Sequence, residues 1–226
     1  MNRYKWYRLG LPCSHKAFVK NLLRTKFDYE SKCGFISVAQ GADEDAFRFA
    51  WETLLPKTSF DSSGDSSVEF IASVDFCEFS IFQRDGVTWI RIINPPRSLK
   101  ELMNTLEESA GFGFSSELIS FRDVELPHSI SELGEVSLIG FRGIGSVPKQ
   151  HLVARIEVVS RTTLDLDNVE FLRHMSYEID KCVYEITFQR IRGQISLSAT
   201  GLVKISGQLA PLVLHLIESD LVMRKS

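Results

Sequence analysis

Residues 76–93 constrain the fold more than any other part of the chain. Two runs rich in β-branched and aromatic residues are separated there by Asp85-Gly86. A two-residue hairpin turn needs positive φ at both central positions, which aspartate and glycine tolerate, so the pattern predicts a long antiparallel hairpin. The turn fixes the register and sets Phe82 opposite Trp89.

The two faces of this hairpin differ in polarity, because side chains alternate along a strand. The dry face consists of Cys77, Phe79, Ile81, Ile90 and Ile92, and the mixed face consists of Glu78, Ser80, Phe82, Trp89 and Arg91. We expect a diagonal ion pair between Glu78 and Arg91. Two interpretations of Phe82 and Trp89 stay open: a cross-strand pair covered by a helix, or an exposed aromatic platform for a partner.

Composition limits the classes of function. The chain has 226 residues and a net charge of -3, with a pI near 6.0, which disfavours an overall basic nucleic-acid binder. The cysteines are widely spaced and form no CxxC pair, as in a reduced cytosolic protein. The N-terminus lacks the apolar core of a signal peptide, and residues 209–217 are too short to span a bilayer. We therefore expect a cytoplasmic protein without membrane segments.

The first 32 residues are basic, and aromatic residues alternate with the cations. A strand over 4–9 and a helix over 14–24, capped by Ser14, would carry them. Base stacking combined with phosphate contacts uses these residue types, so a nucleic-acid interface is one hypothesis. Its candidate residues are Lys5, Trp6, Arg8, Lys16 and Lys20, together with Arg142 from a later segment. A solvated helix face beside a charged edge strand is the other interpretation.

Other elements follow from periodicity and turn residues. Acidic residues before an apolar stretch, with Pro56 after it, favour a helix over 42–55, although Phe47, Phe49 and Trp51 also alternate as in a strand. Residues 57–67 are predicted to be a flexible loop or linker. Helices are also expected over 98–109 and 209–221.

A second hairpin is expected over 184–199, with its turn at Arg192-Gly193. Its apolar face would consist of Tyr184, Ile186, Phe188, Ile195, Leu197 and Ala199. Each hairpin is followed by an amphipathic helix, and similar Phe-Gln-Arg triplets precede both turns, which is typical of a duplicated β-β-α unit.

These elements predict an α+β fold. It would be mainly an antiparallel sheet built from long hairpins, with amphipathic helices packed on one face. The expected organisation is a basic strand-helix unit over 1–56, a loop or linker over 57–67, and the sheet with its helices over 68–226, unless the whole chain is one domain.

The sequence contains only weak matches to phosphate-binding, metal-binding and catalytic motifs. The glycine-rich segment 140–146 follows a predicted strand but leads into no helix, so a flexible turn with a bulge is preferred over a phosphate or RNA loop. Asp165 and Asp167 suit either a magnesium or calcium site or a polar turn. The histidines are isolated, and Cys13 near His15 has no third partner in the sequence. We expect no catalytic site, no cofactor and no bound metal.

The preferred interpretation is a non-enzymatic interaction or accessory subunit of a multiprotein assembly. Its predicted partner-binding residues are Glu78, Phe82, Trp89 and Arg91, because tryptophan and arginine are enriched at interface hot spots. The alternative is an RNA-binding or RNA-processing protein that uses the basic N-terminal segment and the 140–146 segment. A divergent hydrolase or nuclease is a third hypothesis.

Overall fold

The computed structural model describes residues 1–28, 30–41, 43–121, 126–147, 152–174 and 176–223. These residues form a mostly antiparallel sheet with a few helices, as the sequence predicted. The strands are β1 (Asn2–Gly10), β2 (Cys33–Gln40), β3 (Glu44–Phe60), β4 (Ser66–Arg84), β5 (Val87–Ile93), β6 (Ser115–Leu118), β7 (Glu135–Val147), β8 (Leu152–Val159), β9 (Ser176–Phe188), β10 (Ile191–Ser198) and β11 (Val203–Ile205). The α-helices are α1 (His15–Arg24), α2 (Lys100–Ala110), α3 (His128–Ser131) and α4 (Ala210–Met223).

The chain divides into two compact units. One consists of residues 7–117, and the other combines residues 1–6 with 118–226. Neither of the boundaries expected near 56 and 67 is a unit boundary, because both positions lie in the paired strands β3 and β4.

In the unit of residues 7–117, strands β2, β3, β4 and β5 lie side by side in chain order. Ser14 begins α1 as predicted, and its side chain accepts a hydrogen bond from the backbone of Ala17 at 3.3 Å. The core is formed by apolar residues of both helices together with the dry face of the sheet. It includes Phe18, Leu22, Phe35, Phe47, Phe49, Cys77, Phe79, Ile81, Ile90, Ile92, Leu102 and Leu106.

The β4–β5 hairpin has the register that its turn predicted. Arg84 faces Val87 and Phe82 faces Trp89. The turn residues Asp85 and Gly86 have φ of 47° and 76°, in the left-handed region that this turn type requires.

Residues 44–60 form strand β3, so the predicted helix over 42–55 is wrong for its described part. Phe47 and Phe49 are buried in the core, and β3 pairs with β2 on one side and β4 on the other. The alternating aromatic residues suit a strand whose alternate side chains enter a core, and this burial outweighs the acidic start that favoured a helix.

The segment predicted as a loop or linker is mostly strand. β3 continues to Phe60 and β4 begins at Ser66, so only residues 61–65 form the turn. Serine and glycine made the segment look flexible, but these residues are compatible with a solvated ribbon whose backbone groups pair with one another.

In the second unit, the strands lie in the order β11, β10, β9, β7, β8, and residues 2–4 of β1 pair with β11. The core includes Trp6, Ile186, Ile195, Leu197, Val203, Ile205, Val213 and Ile217. Among the described residues, no helix is both long enough and apolar enough to cross a membrane.

The turn of the second hairpin was placed wrongly. It lies at Gln189-Arg190, which have φ of 46° and 71°. Gly193 lies inside β10 for a packing reason, because a Cβ there would be 2.1 Å from Ser206 Oγ and 2.5 Å from Leu209 Cδ1. This glycine therefore allows a close approach and does not make a turn.

Candidate partner-docking surface

Strands β3 and β4 continue together beyond their neighbours as a two-stranded arm. The pairing of β2 with β3 stops at Trp51, and that of β5 with β4 stops at Glu78. Among the described strands, residues 52–60 and 66–74 pair only with each other, over nine pairs from Glu52–Val74 to Phe60–Ser66. Asp75 and Phe76 follow at the base, where they face Trp51 and Ala50. At about 3.4 Å per residue, such a ribbon is about 30 Å long. Residues 52–76 are termed the arm below.

One face of the arm carries a row of large apolar side chains exposed to solvent. The apolar row consists of Leu54, Pro56, Phe60, Val68, Phe70, Val74 and Phe76. Its three phenylalanines are 73% (Phe60), 66% (Phe70) and 55% (Phe76) exposed. A contiguous exposed apolar patch on a folded protein usually marks an interaction site, because single scattered apolar residues are the ordinary case.

The opposite face of the arm is mainly polar. Its side chains are Thr53, Lys57, Ser59, Ser67, Glu69, Ser73 and Asp75, together with the apolar pair Leu55 and Ile71. The hydroxyls of Ser59 and Ser67 lie 2.8 Å apart across the strands. The arm is therefore amphipathic, although neither face is covered by the rest of the unit.

The charges at the base of the apolar row are compensated. The Arg48 guanidinium lies 4.3 Å from the centroid of the Phe76 ring and donates a hydrogen bond to Glu78 at 2.6 Å. Lys32 Nζ lies 3.0 Å from Glu52 Oε1. Covering the row would therefore not bury an isolated charge from these residues, which would be costly.

The tip of the arm is a defined acidic turn. The Asp61 carboxylate accepts hydrogen bonds from Ser63 Oγ at 2.7 Å and from the backbone N–H groups of Ser63 and Asp65, both at 2.9 Å. These hydrogen bonds lower the pKa of Asp61, and the bond from the Ser63 hydroxyl has the largest effect. The tip therefore carries negative charge at neutral pH and a locally ordered backbone.

The predicted partner-binding residues of β4 lie on the same face of the sheet as the apolar row, since Glu78 and Phe82 follow Phe76 at even spacing. The rings do not form an exposed platform, however, because Phe82 is 3% and Trp89 is 2% exposed. Of the two interpretations of this pair, the structure therefore shows the cross-strand pair, in which Phe82 faces Trp89 in the interior. Whether these residues and Arg91 affect partner binding stays a prediction.

The expected ion pair between Glu78 and Arg91 is also wrong. Glu78 pairs with Arg48, and Arg91 Nη2 pairs with Glu44 Oε1 on β3. Arg48 on β3 is the direct cross-strand neighbour of Glu78, and Glu44 on β3 pairs with Arg91 across the intervening strand β4. Neither partner could be identified from the β4–β5 hairpin alone.

Three residues of the nucleic-acid hypothesis are engaged within the fold. Trp6 is fully buried, and its Nε1 donates a hydrogen bond to Glu218 Oε1 at 3.1 Å. Arg8 Nε lies 3.1 Å from Glu117. Arg142 Nε donates to both carboxylate oxygens of Asp180 at 2.9 and 3.1 Å, which raises the pKa of Arg142. The expectation that Trp6 stacks on a base is wrong for this structure.

The remaining candidates for nucleic-acid contact are lysines. Lys5 is half-buried, whereas Lys16 and Lys20 are exposed on α1 and form no ion pair with any described residue. Arg24 continues their side of the helix at the same spacing.

The predicted loop over 140–146 is strand β7, where a Cβ at Gly143 would lie 2.5 Å from the Glu178 carbonyl oxygen. The predicted bulge is present, since the register with β9 shifts there.

A cavity of about 620 Å³ lies beside the start of α1. Cys13, His15 and Lys16 are among its lining residues. His15 Nδ1 is 3.3 Å from Thr88 Oγ1, and partial burial lowers the pKa of His15 against the opposing effect of Asp45. Cys13 and His15 thus share a cavity, as their sequence spacing suggested.

The acidic residues near position 165 form a polar turn. The Asp165 carboxylate accepts hydrogen bonds from the backbone of Asp167 at 3.0 Å and from Asn168 Nδ2 at 2.6 Å. These contacts correspond to the turn alternative of the sequence prediction.

A scan against models of known protein families found no match, and no curated protein matched the chain. The arm is thus the most prominent candidate surface on physical grounds alone. Sequence reasoning missed it, although a signal was present: alternate positions of 68–76 are apolar and lie after a serine-glycine turn.

Proposed function

We propose that this chain is a non-enzymatic interaction subunit that binds a partner protein through the apolar row of the arm. The observation that carries the proposal is the exposure of Phe60, Phe70 and Phe76 on one face of a projecting ribbon. Aromatic residues supply large contact areas with few rotatable bonds, which makes them effective interface anchors.

The size of the row suits a standard protein interface. Its exposed fractions correspond to roughly 700 Å² of accessible surface, close to the ~800 Å² that each partner contributes to a stable complex. The ribbon is ordered by its own backbone hydrogen bonds, so less conformational entropy is lost on docking than for a disordered segment.

The other features of the chain suit this role. All four cysteines are free thiols, as expected for a cytoplasmic protein. The recurring order of hairpin and helix, β4-β5-α2 and β9-β10-β11-α4, favours the duplication predicted from sequence, with one extra strand in the second copy. Neither the cytoplasmic location nor the duplication is needed for the proposed function.

The test is to capture partners with tagged Phe70→Glu and with a matched control, Ser67→Glu. Both changes add a carboxylate to the arm, but on opposite faces. Loss of a buried aromatic anchor typically costs at least ~2 kcal/mol, so Phe70→Glu should weaken partner binding by about 30-fold or more. Ser67→Glu should bind like the unmodified chain.

Equal retention of the partner by both variants would show that the apolar row is not the docking surface. Nuclease treatment of the lysate separates protein partners from those held through nucleic acid. Circular dichroism of both variants would establish that the fold is unchanged, as expected for exposed positions.

Nucleic-acid binding is a second candidate function, supported by the exposed Lys16, Lys20 and Arg24 on one side of α1. Replacing all three by glutamine should reduce the salt dependence of RNA binding, since each phosphate contact contributes a slope of about 0.7 for a single strand. An unchanged slope would remove this candidate.

A further inference from the structure

We infer that the partner covering the apolar row is a second copy of this chain, docked face to face with the two arms antiparallel. The inference rests on the proposed function, because it names the occupant of the same surface. The twofold axis of this dimer runs perpendicular to the strands, along the apolar face, and passes between the Pro56–Phe70 and Leu54–Ala72 pairs.

The area agrees with a homodimer. Complete covering of the row on both copies would remove roughly 1,400 Å² from water, which lies within the ~1,200–2,000 Å² of stable interfaces and well above the ~800 Å² typical of accidental contacts. A twofold interface uses the same patch on both copies, so one amphipathic arm is sufficient to form it.

The row is complementary in shape to its own antiparallel copy. Around the proposed axis each strand faces its own copy, so Phe70 of one chain lies opposite Ala72 of the other, and Phe76 lies opposite Ser66. Val68 then faces Val74. Large side chains opposite small ones allow two packed sheets to interdigitate about 10 Å apart.

Charge decides between the two possible twofold arrangements. If the arms were parallel, the acidic tips with Asp61 and Asp65 would meet and repel each other. In the antiparallel arrangement the two acidic tips lie at opposite ends of the interface, each beside the charge-compensated base of the other arm. This arrangement avoids the repulsion between like charges that disfavours the parallel one.

Pairing through a strand edge is less favoured on one side of the arm. Pro56 lies on the outer edge of β3 and has no backbone N–H to donate to a further strand. Prolines on edge strands hinder edge-to-edge association, so pairing through the β3 edge of the arm is disfavoured.

The first test measures the mass of the full chain by sedimentation over a range of concentrations. The unmodified protein and Ser67→Glu should form dimers, and Phe70→Glu should raise the dissociation constant by about 30-fold or more. Phe60→Glu, near the tip, should act in the same direction. A monomer at every concentration would overturn the inference.

The second test fixes the orientation by cross-linking two mixed single-substitution proteins with a short bifunctional thiol reagent, because facing sheets about 10 Å apart are too distant for a direct disulfide. Val68→Cys should cross-link to Val74→Cys if the arms are antiparallel. Cross-linking of Val68→Cys to Thr58→Cys would instead show parallel arms and overturn the arrangement.

The two proposals can fail separately. If the chain is monomeric while Phe70→Glu, but not Ser67→Glu, loses a captured protein, the self-association is wrong and the proposed function is supported. If the chain is monomeric and both variants retain every captured protein, both proposals are wrong.

Discussion

At the scale of single residues, the contact between Trp6 and Glu218 shows how a basic, aromatic segment can be structural. Both side chains are buried, and the indole N–H satisfies a carboxylate oxygen at 3.1 Å. The alternation of the segment could be read from the sequence, but the buried carboxylate lies 212 positions away. No local pattern identifies such a partner, so the direction of the ring could not be predicted.

We predict that Trp6→Phe destabilises the protein. The change removes the donor to a buried carboxylate while keeping an aromatic ring, so the free energy of unfolding should fall by about 1–3 kcal/mol in denaturant titrations. Glu218→Gln keeps an oxygen acceptor and should cost less. Equal stability of Trp6→Phe and the unmodified chain would show that the hydrogen bond contributes nothing.

The buried thiol of Cys77 gives a prediction for pH dependence. Burial, with a smaller effect of the neighbouring Glu78, raises the pKa of Cys77 to about 12 from 9.0. Above pH 9.0 the unfolded chain releases this proton while the folded chain keeps it, so the thiol contributes stability that is lost as the pH rises from 9.0 towards about 12.

The measurement compares the unmodified chain with Cys77→Ala. Between pH 8 and pH 10 the free energy of unfolding of the unmodified chain should fall by about 1 kcal/mol more than that of Cys77→Ala. Parallel pH profiles for the two proteins would mean that the pKa of this thiol is the same in the folded and unfolded states.

At the scale of elements, hairpin turns decide how much of the sheet can be predicted. Asp85-Gly86 has a strong local preference for its conformation, so the register of β4 and β5 followed from the sequence. The second turn uses Gln189 and Arg190, which have no such preference, and Gly193 gave a misleading signal.

The faces of the second hairpin were nevertheless largely predicted. Tyr184 pairs with Ile195 and not, as the misplaced turn required, with Gly201. This shift is six positions, an even number, so the same side chains share a face. Ile186, Ile195 and Leu197 are accordingly buried.

We predict that an Asn-Gly turn stabilises this hairpin. Gln189→Asn combined with Arg190→Gly places residues that tolerate positive φ at both positions, and should raise the free energy of unfolding by about 1 kcal/mol. The reciprocal exchange, Asp85→Gln with Gly86→Arg, should lower it by a similar amount. Denaturant titration measures both, and a loss of stability in the Asn-Gly variant would contradict the turn assignment.

At the scale of the whole molecule, the arm differs from the rest of the fold. Each compact unit has its own buried core, whereas the large side chains of the apolar row are exposed. Local alternation could indicate that residues 68–76 form a strand, but not that neighbouring strands stop at Trp51 and Glu78. Exposure of the row depends on those distant strand ends, which is why the sequence could not identify the docking surface.

The most direct measurement shortens the arm and compares stability with association. Replacing residues 55–71 by Asn-Gly joins Leu54 to its pairing partner Ala72 through a two-residue turn. The account predicts an unchanged melting temperature, because the removed side chains are exposed, together with a loss of dimer in sedimentation and of captured partners. A shortened protein that still associates like the full chain would contradict the assignment of function to the arm.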